Sequence, residues 1–131
     1  MLMIHAFLVE DDAASRAILE EALREMADTD VVGWAGTENG AVDWLARHPR
    51  QADVVVLDLF LDAGSGLGAL ARLSKLPQRP RVVVLSGGAT SLLRRSCLLL
   101  GAEAVFDKAT DLEALCAHCR AIGAHSPPAQ H

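Results

Sequence analysis

"VVVLDLFL", residues 54–61, sets seven apolar residues around one carboxylate, Asp58. So continuous an apolar run belongs to a strand covered on both faces, as in a parallel sheet, because a strand with one wet side alternates apolar and polar residues. An ionised aspartate inside such a run is costly unless a partner or a solvated strand end compensates it. The fold therefore turns on where this strand ends and what meets it there.

Four further runs have the same character: "MIHAFLV" at 3–9, "VVGWA" at 31–35, "RVVVL" at 81–85 and "EAVF" at 103–106, with the Asp58 strand read as 53–59. Between them lie segments of helical period. "DDAASRAILEEALREM" puts Ile18, Leu19, Ala22, Leu23 and Met26 on one face. "TENGAVDWLARHP" opens on a capping Thr37 and must stop near His48, since Pro49 cannot continue a helix. "GLGALARLSKLP", "ATSLLRRSCLLLG" and "TDLEALCAHCRAI" complete the set, the second of them closing on Gly101. Strand then helix, five times over, predicts an α/β fold: a doubly wound flavodoxin-like sandwich around a parallel sheet of order 2-1-3-4-5.

The chain has 131 residues, which suits one domain, and its 51% hydrophobic content is ordinary globular usage. The expected organisation is a domain over 1–122 and a flexible tail, 123–131, containing "SPPAQH". A net charge of −5 disfavours direct nucleic-acid binding. No run is long enough to span a membrane and "MLMIHAFLV" lacks a basic leader, so the expected compartment is the cytoplasm. Three cysteines without a secretory signal read as reduced thiols. "CAHC" at 116–119 lies on an apolar helical stripe and lacks a second ligand pair, so it reads as core and not as a metal site.

In an open parallel sheet, the functional crevice lies beyond the carboxyl ends of the strands, where the strand order reverses. That rule gathers Glu10, Asp11 and Asp12 after the first strand, Asp58 at the end of the third, Ser86 after the fourth and Lys108 after the fifth. Clustered carboxylates resist joint ionisation unless a cation neutralises them, and hard oxygen ligands suit Mg²⁺. A lysine and a hydroxyl beside them are equipment for handling a phosphoryl group, with Asp58 as nucleophile, Asp11 as direct metal ligand and Glu10 as a ligand through water. Lys108 and Ser86 would hold the remaining phosphoryl oxygens. Asp12 has a sufficient reading as a helix cap. "GSGLG" at 64–68 has the wrong glycine spacing and position for dinucleotide binding, and His5 reads as a packed or edge histidine inside a strand.

"FLVEDD", "VVVLDLFLDAGSGL", "VVVLSGG" and "GAEAVFDKATDLE", in this order, resemble the receiver domain of two-component response regulators over residues 3–121. The resemblance implies transfer of a phosphoryl group to Asp58 from a phosphohistidine on a sensor histidine kinase or histidine phosphotransfer protein. It also implies that the backbone carbonyl of Phe60 binds the metal. Ser86 and the residues around Val105 and Phe106 become the expected switch, acting on a face made of the fourth helix, fifth strand and fifth helix. A second copy of the chain is one candidate partner for that face. "GSGL" and the absence of proline after Lys108 are similar to receivers that often stand alone, and Ala109 removes the expectation of a cis peptide there. Two departures stand out: Val105 occupies the position where the family usually has an aromatic, and Phe60 occupies one that influences dephosphorylation. The other readings weighed are a phosphate sink, a constitutive adaptor and an aspartyl-phosphate phosphatase; the last, in the haloacid-dehalogenase pattern, would place its nucleophile on the first strand.

Overall fold

The structure, a computed structural model, describes residues 3–125. Five strands, β1 (Ile4–Val9), β2 (Thr29–Ala35), β3 (Val54–Leu57), β4 (Val82–Ser86) and β5 (Ala104–Asp107), alternate with five helices, α1 (Ala13–Ala27), α2 (Glu38–Arg47), α3 (Gly66–Leu73), α4 (Ser91–Leu99) and α5 (Leu112–His125). Every strand pair is parallel and the order is β2-β1-β3-β4-β5. This is the expected doubly wound sandwich.

The continuous apolar runs have the predicted cause. Successive residues of the central strands face opposite sides of the sheet, so each run feeds two cores at once. Leu8, Val54, Val56 and Val83 pack with Leu19 and Leu23 of α1 and with Leu115, Cys116 and Cys119 of α5. Phe7, Val9, Val55, Leu57 and Val84 pack with Leu45 of α2, Leu70 and Leu73 of α3 and Cys97 of α4. The four residues of β3 are at most 2% exposed, and a fully buried valine or leucine contributes about 1.5–3 kcal/mol. A carboxylate belongs only past the end of such a strand, and Asp58 is the first residue after it.

Side-chain caps set the helix starts. Asp12 accepts the Ser15 N–H at 2.8 Å, Thr37 that of Gly40 at 3.0 Å, Ser65 that of Gly68 at 2.8 Å and Thr90 that of Leu93 at 3.2 Å. Asp12 therefore takes the capping role read for it. Two residues assigned to the buried face of α1 are not there: Ile18 is 63% exposed and Met26 37%. The stripe that meets the sheet is Leu19, Ala22, Leu23 and Ala27, which leaves Ile18 on the rim of a cleft of about 160 Å³ bordered by Lys108 and Leu112. Helix α5 continues through His125, three residues past the boundary expected at 122, and the rest of the expected tail, 126–131, lies outside the described residues.

All three cysteines are buried, Cys116 and Cys119 in the α1–α5 core. Burial pushes all three thiols up, that of Cys119 to about 12, so none is poised as a thiolate. His5 is exposed on β1, where its ring lies 3.5 Å from Asp53 at the end of the sheet away from the acidic residues.

Candidate functional site

The parallel sheet brings the carboxyl ends of β1, β3, β4 and β5 to one edge, and the predicted polar residues meet there. Backbone pairing fixes the floor. The Asp58 N–H donates to the Val9 carbonyl at 2.9 Å, Glu10 N–H to Ala35 at 2.9 Å and Lys108 N–H to Ser86 at 3.3 Å. Gly66 locks the next turn: a Cβ on it would lie 2.1 Å from the Asp58 carbonyl oxygen, and its N–H donates to Leu59 at 3.0 Å. At the middle glycine of "GSGLG", then, two stretches of backbone lie in contact directly behind Asp58.

Asp58 is 7% exposed and both its oxygens are engaged. Oδ1 accepts the Ser86 hydroxyl at 3.0 Å and the Phe60 N–H at 3.1 Å, and Oδ2 accepts the Lys108 ammonium at 3.2 Å. Lys108 also forms an ion pair with Glu10. Glu10, Asp11 and Asp58 each present a carboxylate oxygen, all within 4.8 Å of one another.

The electrostatics of this cluster are unbalanced. Burial pushes the Glu10 carboxyl up, against the opposing pull of the Lys108 hydrogen bond and the Asp12 N–H. At Lys108, burial works against the charge, but the Glu10 hydrogen bond and the charge of Asp58 more than offset it, so the ammonium is held firmly protonated. Asp11 is held below the usual carboxylate range by the Asp62 N–H, which donates to its Oδ2 at 2.7 Å. Of the three carboxylates, Glu10 and Asp58 share one lysine while Asp11 forms no ion pair among the described residues, and the donor set is all oxygen. Those residues fit a small hard divalent cation.

The two expected switch positions on β5 part company. Val105 packs toward the α3–α4 side and Phe106 toward α5, where its ring meets that of His118 edge-on at 5.8 Å. Phe106 therefore does not fill the place of the aromatic absent at Val105. Arg94 of α4 reaches into that region instead, donating to the Val105 carbonyl at 3.1 Å.

Sequence reasoning passed over Arg94, Arg16 and Asp62. Arg16 donates to the Glu10 carbonyl at 2.8 Å while its guanidinium lies 3.5 Å over the Trp34 ring. Helical spacing could have placed Arg16 near the strand end, but the Asp62 and Arg94 contacts depend on loop paths that carry no periodic signal.

The sequence model of the response regulator receiver domain matches residues 6–120. The chain belongs to that family. This receiver is 34% identical over 110 residues to protein-glutamate methylesterase/protein-glutamine glutaminase 5 of Myxococcus xanthus, covering 83% of this chain and 31% of the relative. It is 30% identical over 120 residues to the positive transcription regulator BvgA of Bordetella pertussis, covering 92% of this chain and 56% of the relative. The receiver thus spans from about a third to just over half of these relatives. Among solved structures, the response regulator domain of Thermotoga maritima CheB superposes with a TM-score of 0.82 at 21% identity, covering 96% of this chain and all of that one. Receiver domains bind Mg²⁺ at an acidic pocket, and Glu10, Asp11 and Asp58 form such a cluster here. No described helix is long and apolar enough to cross a membrane.

Proposed function

We propose that this receiver accepts a phosphoryl group on Asp58 from a phosphohistidine of a sensor kinase or histidine phosphotransfer protein, and that the modified domain changes partner binding through the α4–β5–α5 face. The single observation that carries this reading is the convergence on Asp58 of the Ser86 hydroxyl, the Lys108 ammonium and the two further carboxylates.

In the proposed transfer, a carboxylate oxygen of Asp58 forms a bond to phosphorus as the bond to the donor imidazole nitrogen breaks, and the imidazole leaves as the neutral base once protonated by solvent. The Lys108 ammonium and Ser86 hydroxyl exchange their hydrogen bonds to the carboxylate for bonds to the phosphoryl oxygens. Asp11, Asp58, the Phe60 carbonyl and, through water, Glu10 would hold Mg²⁺, which when bound neutralises charge on the transferring oxygens. Burial of Asp58 and Ser86 limits the water that competes for the phosphoryl group. Movement of Ser86 toward that group would draw on the Gly87–Gly88 link into α4, around whose α-carbons lies open space.

The test is incubation with Mg²⁺ and acetyl phosphate, or with beryllofluoride, followed by intact mass and amide NMR. Wild type is expected to gain an adduct and shift resonances in α4, and Asp58→Asn to do neither. A phosphate sink would gain the adduct without the α4 shifts, and a constitutive adaptor of the degenerate kind would gain neither.

A further inference from the structure

We propose that Glu38 is a positioning residue for the metal-binding loop: its carboxylate clamps the segment after Asp58 in the path that Mg²⁺ binding requires. This inference rests on the Mg²⁺-dependent reading above and extends it to a residue at the start of α2, remote in sequence from every proposed ligand.

The clamp is built from both ends. Glu38 Oε1 accepts the Ser65 N–H at 2.9 Å, Oε2 pairs with Arg72 of α3 at 3.1 Å, and Arg72 also donates to the Asn39 side chain at 2.7 Å. The Glu38 N–H donates to the Ala63 carbonyl at 3.3 Å, beside a parallel bridge between Thr37 and Ala63. The outer glycines of "GSGLG" accommodate this carboxylate. A Cβ on Gly64, whose φ is +80°, would lie 2.6 Å from Glu38 Cβ, and one on Gly68 would lie 2.6 Å from Glu38 Oε1. So the segment from Asp58 to Gly66 is pinned at Asp58 and Leu59 by Gly66, at Asp62 by Asp11, and at Ala63 and Ser65 by Glu38. Between these pins lies Phe60. Without the Glu38 carboxylate, Ser65 loses its charged acceptor and the tie to Arg72 of α3 is lost, so the far end of the stretch carrying Phe60 and Asp62 is held by backbone contacts alone. Fixing a ligand-bearing loop in advance raises metal affinity, because the ordering cost is already met in the free protein.

The experiment titrates MgCl₂ into the full chain and reads the dissociation constant from the amide shifts of Phe60 and Asp62, with thermal melting as a separate measure of fold. Asp11→Asn serves as the control for the metal site. Glu38→Ala is expected to weaken Mg²⁺ binding by about 3- to 10-fold, at or below the low end of the effect of groups that orient metal ligands directly. Glu38→Gln, whose amide oxygen still accepts from Ser65 but whose NH₂ then faces the Arg72 guanidinium, should weaken binding less than Glu38→Ala. Gly68→Ala, which pushes the carboxylate aside without removing it, should weaken binding in the same direction as Glu38→Ala. At saturating Mg²⁺ the rate of Asp58 phosphorylation by acetyl phosphate should return to the wild-type value in each variant. If Glu38→Ala and Gly68→Ala melt lower yet bind Mg²⁺ as tightly as wild type, the clamp is structural only and the inference falls. If wild type itself shows no Asp11-dependent Mg²⁺ binding, the metal reading falls and takes this inference with it.

Discussion

The Ser86 hydroxyl donates to Oδ1 of Asp58 at 3.0 Å, joining the ends of β3 and β4 through two buried side chains 28 residues apart. Because Oδ1 keeps the Phe60 N–H when Ser86 is removed, Ser86→Ala should cost only about 1–2 kcal/mol by urea denaturation, less than for an orphaned buried charge. The beryllofluoride adduct should still form on Asp58, but the accompanying shifts in α4 should shrink. Undiminished α4 shifts would remove Ser86 from the signal path.

Phe60 is 54% exposed, its N–H donates to Asp58 at 3.1 Å, and its ring adds bulk two residues from the proposed phosphoryl site. Phe60→Asn replaces that bulk with a group able to orient water. Autodephosphorylation should quicken by about 3- to 10-fold, up to about 1.4 kcal/mol of barrier. A rate unchanged or slowed, measured by loss of the phosphorylated mass after the donor is removed, contradicts this.

Helix α4 is weakly held. Of its residues only Cys97 is fully buried, while Leu92 and Leu99 are 73% and 81% exposed. It joins Ser86 through Gly87 and Gly88, the latter at φ +77°, and the Arg94 hydrogen bond to the Val105 carbonyl ties it to β5 where the family usually carries an aromatic. Arg94→Met should lower amide protection along α4 by about three- to ten-fold, the loss of one hydrogen bond worth about 0.5–1.5 kcal/mol. The α4 response to beryllofluoride should shrink as well. Protection at the wild-type level would make Arg94 a bystander.

On the lower half of the sheet, Glu103 accepts two bonds from Arg81, at 2.6 and 3.2 Å, and its Oε1 lies 3.0 Å from His118 Nε2. Burial alone would push the Glu103 carboxyl up, but the Arg81 and His118 hydrogen bonds more than offset it and hold it below the usual glutamate range. A carboxyl whose folded value is depressed adds stability above its unfolded value and loses it as pH falls through the folded one. Glu103→Gln should therefore flatten the acid limb of a stability–pH curve, and should cost less than about 1 kcal/mol at neutral pH because Arg81 is half exposed. An acid limb as steep as wild type would assign that loss to other carboxylates.

Strand and helix order, the two-sided burial of β1, β3 and β4, and the convergence of Glu10, Asp11, Asp58, Ser86 and Lys108 are all determined by the sequence itself. The reason is geometric: continuous apolar runs force a covered parallel sheet, and a parallel sheet must bring every strand's carboxyl end to one edge. Which residues hold those groups in place was decided only by tertiary structure. Asp62 against Asp11, Glu38 against Ser65, Arg94 against Val105 and the exposure of Ile18 follow from how loops travel and helices rotate against the sheet. Such contacts join side chains to distant backbone, and no local period or spacing encodes the backbone's position.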